Sequence, residues 1–151
     1  MIALPPDPPA IIGRASVIDG DTIEIHGKRI RLWGIDAPEA GQTCSRGGET
    51  YRCGQEAATA LAEDVRDRVV ICMPEGRPDR YGRIVAKCVT FDDAGRRIAY
   101  DLAGGMVTAG LAVDYPRYSR RAYAQHQATA RAGRAGMWAG EFQMPWEWRA
   151  R

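Results

Sequence analysis

The chain has 151 residues and a formal net charge of +2, with 45% hydrophobic and 26% charged residues. That length suits one domain with its own core, expected to be monomeric, and no stretch is long and apolar enough to span a bilayer. Arginines crowd residues 66–83 and 117–134 while acids gather at 19–39 and 49–67, a layout that permits a polyanionic partner without demanding one.

Met1–Ala10 lacks the basic start and apolar run of a signal peptide. If the protein is exported, its signal is not in this sequence. Pro5, Pro6, Pro8 and Pro9 make residues 1–13 an extended linker into a domain covering 14–151. Arg14–Asp19 and Thr22–Ile25 are predicted strands, joined by a turn at Asp19-Gly20, a pair that tolerates positive φ. A second turn at His26-Gly27-Lys28, with His26 a plain turn residue, leads into the strand Arg29–Ile35. There Ile30 and Leu32 alternate with Arg29 and Arg31, so Arg31 projects from the face opposite the core. Arg31 and Asp36 are an odd number of residues apart, which on a flat pleat would send them to opposite faces. The strand must therefore bend or end near Gly34 if they are to cooperate. Pro38 then stops the pairing and presents Asp36 and Glu39 at the rim.

Ala40–Arg52, rich in small and polar residues, is expected to be a loop able to act as a flap. From Gly54 the spacing of Ala57, Ala60, Leu61 and Val65 predicts an amphipathic helix. Val69–Cys72 and Arg83–Phe91 follow as strands, linked by the polar connection Pro74–Gly82 with Arg77, Asp79, Arg80 and Tyr81. A turn at Asp92–Gly95 precedes a second helix, Tyr100–Ala109, ending at Gly110. Ser119 is positioned to cap a third helix through about Arg134, closed by Gly136, with His126 on its surface. In the tail Met137–Arg151, the rings of Trp138, Phe142, Trp146 and Trp148 are expected to pack on the barrel; a stacking platform for bases is the other reading.

Cys44, Cys53, Cys72 and Cys88 have neither C-x2-C spacing nor a neighbouring histidine, which argues against zinc. Of the three possible disulfide connectivities, Cys44–Cys53 and Cys72–Cys88 are favoured, pointing to an oxidising compartment; reduced thiols in a cytosolic protein are the alternative. Asp21, Asp36 and Glu39 near Arg31 and Arg83 form a costly cluster unless a cation offsets the repulsion. An all-oxygen donor set suits Ca2+. Arginine beside an acid-bound metal meets the needs of phosphodiester cleavage, because its planar fork binds two phosphate oxygens.

Asp19-Gly-Asp21-Thr22, then Arg31-x-x-x-x-Asp36-Ala-Pro-Glu39, then Asp79-Arg-Tyr-Gly-Arg83, in this order, resemble the staphylococcal-nuclease-like (thermonuclease) family. The resemblance runs from about Arg14 to Trp138, including Gly110-Leu-Ala112 and Gly136-Met-Trp138. It implies an α+β, mainly β fold, a five-stranded OB-type barrel with three helices, and a Ca2+-dependent nuclease acting on single-stranded or locally melted DNA and RNA. By the same resemblance Asp21, Asp36 and the Ala37 main-chain carbonyl are implied metal ligands. Arg31 and Arg83 are implied phosphate and transition-state binders, Glu39 the general base or water orienter, and Tyr115, Tyr118 and Arg80 substrate contacts. Gln127 departs from the glutamate common in relatives. The cysteines resemble those of exported bacterial relatives, implying a secreted or periplasmic location. The rival reading is a non-catalytic OB-fold module that binds nucleic acid or protein.

Overall fold

The computed structural model describes residue 3, residues 8–91 and residues 99–151. The expected turn at Asp92–Gly95 and part of the proline linker, residues 1–2 and 4–7, lie outside them. The strands are β1 (Ile11–Gly13), β2 (Ser16–Asp19), β3 (Thr22–Ile25), β4 (Lys28–Leu32), β5 (Ile35–Asp36), β6 (Cys44–Arg46), β7 (Glu49–Tyr51), β8 (Val70–Pro74), β9 (Ile84–Phe91), β10 (Ala99–Asp101) and β11 (Val113–Asp114). The helices are α1 (Cys53–Val65), α2 (Leu102–Thr108), α3 (Pro116–Ser119), α4 (Ala124–Ala132) and α5 (Pro145–Ala150), with a 3-10 turn at Gly136–Ala139.

The main sheet runs β1-β8-β9-β4-β3-β2, with β10 on β9. Its two outer members, β1 and β2, are pieces of one run interrupted at Arg14-Ala15. The first piece pairs Ile11 with Cys72 and the second pairs Val17 with Ile23. One bent segment thus meets both ends of the sheet and curls it around the core in the manner of an OB barrel, although the ladder is broken at that seam. Counting β1 and β2 as one run, the curled sheet has five members, the α+β, mainly β arrangement expected; β10, β5–β11 and the hairpin β6–β7 are additions to it.

Inside, alternate residues of the meander, Ile23, Ile25, Ile30 and Leu32, are fully or almost fully buried against Leu61 of α1 and Leu102 and Met106 of α2. Each such side chain contributes about 1.5–3 kcal/mol of burial. Cys72 and Cys88 face each other across β8 and β9 and form a disulfide within this core. A second, smaller core joins Cys44, Cys53, Val113 and Met137 with the partly buried rings of Tyr51, Trp138, Phe142 and Trp146. The tail rings therefore pack mostly on the Cys44–Cys53 disulfide and its hairpin, not on the barrel itself.

Several local expectations are corrected. The Ala40–Arg52 loop contains the β6–β7 hairpin, pinned to the tail by the Ser45–Glu141 bridge. Residues 99–101 pair with β9, so the second helix starts only at Leu102, capped by the Asp101 carboxylate on the Ala103 N–H. The third helix is split into α3 and α4, because Arg120 and Arg121 adopt left-handed φ of 53° and 69°. Ser119 ends α3 instead of capping a long helix; its hydroxyl donates to the buried Asp114 carboxylate, which also accepts the Tyr123 N–H. Gln127 does a carboxylate's work at this point, its side-chain oxygen accepting the Asp114 N–H at 2.8 Å. Gly20 is needed for close approach, not for positive φ: a Cβ there would sit 2.7 and 2.8 Å from the Cβ atoms of Ala57 and Ala37.

Candidate active site

The acid-rich rim is built by one bend. β4 ends at Leu32, Gly34 turns with φ of +83°, and β5 restarts at Ile35 to pair with β11. A Cβ at Gly34 would also press on Tyr123 and Ser119, so only glycine suits both the turn and the packing. This bend removes the odd-spacing conflict and lets Arg31 and Asp36 meet.

Arg31 is the hub. Its guanidinium lies 3.1 Å from the Asp21 carboxylate and 3.5 Å from that of Asp36, with all three side chains mostly buried. Asp21 is further tied down by the Ala37 N–H at 2.9 Å and the Thr22 hydroxyl at 3.1 Å. Burial opposes its ionisation, but the Arg31 charge and these hydrogen bonds outweigh it and hold the carboxyl below the usual aspartate value. Asp19, whose carboxylate accepts the Asp21 N–H, is pushed up to about 6 by burial first and the Asp21 charge second. Asp36 has no solvent exposure, and burial raises its carboxyl despite the cations around it.

Arg83 reaches the rim from the loop before β9. Asp79 Oδ1 accepts the backbone N–H groups of Tyr81 and Arg83, and Oδ2 accepts Arg83 Nε at 2.7 Å, fixing the loop before β9. The guanidinium then reaches the Thr22 hydroxyl at 3.3 Å, one residue from Asp21. Arg80 stays on the exposed part of that loop, donating to the Tyr81 hydroxyl. Tyr115 and Tyr118 pack edge to face at 4.8 Å, and the Tyr115 N–H bonds the Gly34 carbonyl, which puts the pair beside the bend.

Two participants had no signal in the motif spacing. Arg149 on α5 forks both oxygens of Asp36, at 3.0 and 2.7 Å, and also reaches Glu39 at 2.6 Å. Gln42 is fully buried; its side-chain oxygen accepts the Glu39 N–H, and its NH2 donates to the Gln143 carbonyl in the tail. Trp146, one turn before Arg149, stacks on Tyr115 at 5.1 Å and 11°.

Could this rim hold a metal? Among the described residues no group of three or more His, Cys, Asp or Glu side chains is placed to do so. The buried carboxylates Asp21 and Asp36, both contacted by Arg31 and the second also by Arg149, offer oxygen donors without imidazole or thiolate. That set fits a hard cation that completes its shell with water, such as Ca2+, and does not fit zinc.

Residues 29–140 match the sequence model of the family described as Staphylococcal nuclease homologue. The chain is 44% identical over 130 residues to the succinoglycan biosynthesis protein ExoI of Rhizobium meliloti (strain 1021), covering 85% of this chain and 64% of that protein. It is 33% identical over 143 residues to a micrococcal nuclease of Shigella flexneri, covering 88% and 76%. An uncharacterized endonuclease of Escherichia coli is 30% identical over 141 residues, covering 89% and 82%. The chain thus spans just under two thirds of the first relative and more of the other two.

Proposed function

Because this chain belongs to the staphylococcal nuclease homologue family, we propose that it is a Ca2+-dependent endonuclease. Its substrates are single-stranded or locally melted DNA and RNA, cleaved with little sequence preference. The observation that carries this reading is the shared rim: Arg31 bridges Asp21 and Asp36, and Arg83 stands one hydroxyl away.

Arg31 and Arg83 bind the scissile phosphate through their planar forks, matching the charge that builds on its oxygens as water attacks phosphorus and the P–O bond breaks. Asp21, Asp36 and the Ala37 carbonyl would hold Ca2+, which when bound polarises the same phosphate. Glu39, about one-third exposed at the edge of the rim, reaches water and orients it or takes its proton. Exposed Tyr118, backed by Tyr115, offers a ring to the nucleotide, and Arg80 a further cation along the strand. These contacts go to phosphate and ring faces, not base edges, which accounts for low sequence preference. The two disulfides support a site of action in the periplasm or outside the cell.

The test is digestion of single-stranded DNA and of RNA in Ca2+ and in EGTA. Cleavage is expected only with Ca2+, and Glu39→Gln is expected to slow it by about 10²–10⁴-fold. Binding that persists without cleavage in any divalent metal would select the non-catalytic module instead.

A further inference from the structure

We infer that Arg149 is a positioning residue of this site, clamping Asp36 to Glu39 and so making the C-terminal helix α5 part of the catalytic apparatus. The inference rests on the nuclease reading above. It begins with charge: Asp21, Asp36 and Glu39 are three acids, and Arg31 touches only the first two. Arg149 supplies the second cation, and it is the side chain that spans Asp36 and Glu39.

The contact is not a loose surface pair. One partner, Asp36, is fully buried, and the fork is bidentate, the geometry in which arginine fixes orientation as well as charge. The strap is also held on both sides of the clamp. Trp146, one turn earlier on the same helix face, stacks on Tyr115. Gln42 joins the Glu39 N–H to the Gln143 carbonyl, so the backbone of the Glu39 loop and its carboxylate are both fastened to the tail. A glutamate that must orient one water needs its carboxylate fixed, and here it is fixed from the tail. Asp36 keeps room for one further partner, since a carboxylate offers about four lone-pair sites, the fork uses one on each oxygen and Arg31 takes a second on Oδ1.

The experiment compares the full chain with Arg149→Ala and Arg149→Lys. It measures kcat and KM on single-stranded DNA in saturating Ca2+, Ca2+ binding by calorimetry, and amide hydrogen exchange at Glu39 and Gln42. Arg149→Ala is expected to lower kcat by about 10–100-fold with KM within about threefold of wild type, and to speed exchange at both amides. Arg149→Lys, which keeps the charge without the fork, is expected to recover part of kcat. If the alanine variant does not fold, the lysine variant carries the test and must fall below wild type. Unchanged kcat and exchange would overturn the clamp. So would tighter Ca2+ binding with faster cleavage at low Ca2+, which would mark Arg149 as a competing cation. A wild type that cleaves nothing sinks the nuclease reading, and exchange alone then decides whether Arg149 holds the loop.

Discussion

Asp79 accepts two backbone N–H groups near the site while staying outside the cluster of Asp21, Asp36 and Glu39. Burial raises its carboxyl, but the N–H of Arg83, the Arg83 side chain and the N–H of Tyr81 together hold it below the ordinary 3.8. The folded state therefore binds fewer protons there than the unfolded chain in the window just below 3.8. The stabilisation is complete above that value and is lost as pH falls through the folded one. Asp79→Asn is expected to be less stable than wild type by a constant amount between about pH 5 and 8, with the gap closing below 3.8. Denaturant melts across pH check it, and a gap that persists to about pH 2 would contradict the assignment. At this scale the site was partly legible. Asp21, Arg31, Asp36 and Glu39 lie within nineteen residues and two turns, so local spacing could suggest that they meet. Arg149 lies 113 residues from Asp36, in a stretch whose conspicuous feature is its tryptophans, and no local period could pair them.

α1 begins under the Glu39 loop, and its second residue explains how tightly the two fit. A Cβ at Gly54 would overlap the Glu39 carbonyl, while the Gly54 N–H bonds the Gln42 carbonyl. Gly54→Ala is expected to cost about 1–3 kcal/mol in equilibrium unfolding, as overpacking does, and to slow cleavage by displacing Glu39. Wild-type stability with wild-type rate would show that the loop yields freely. The amphipathic spacing of α1 was readable because Ala57, Leu61 and Val65 face one core. The break between α3 and α4 was not, because it depends on the buried Asp114 carboxylate capturing the Ser119 hydroxyl and the Tyr123 N–H. That is a tertiary contact, and it overrides a run of good helix formers. β10 was hidden for a similar reason: Ala99–Asp101 becomes a strand only because β9 is there to pair with it.

Over the whole molecule, the curled sheet places the charged rim at the β4–β5 bend, and the second core brings the tail back across it. The fold class was open to sequence reasoning because alternation in the meander and the turn spacing are local patterns. The strap was not, since its position depends on rings packing against the Cys44–Cys53 disulfide. No helix among the described residues is long and apolar enough to cross a membrane. On the nuclease reading two guanidinium forks and two buried acids share one phosphate-binding hollow, and lysine substitution removes the fork while keeping the charge. The measurement is the initial rate of single-stranded DNA cleavage in Ca2+ by wild type, Arg31→Lys and Arg83→Lys. Each variant is expected to lose about 10²–10³-fold while still unfolding in one cooperative transition. Rates equal to wild type in both would rule out a phosphate held by these two arginines.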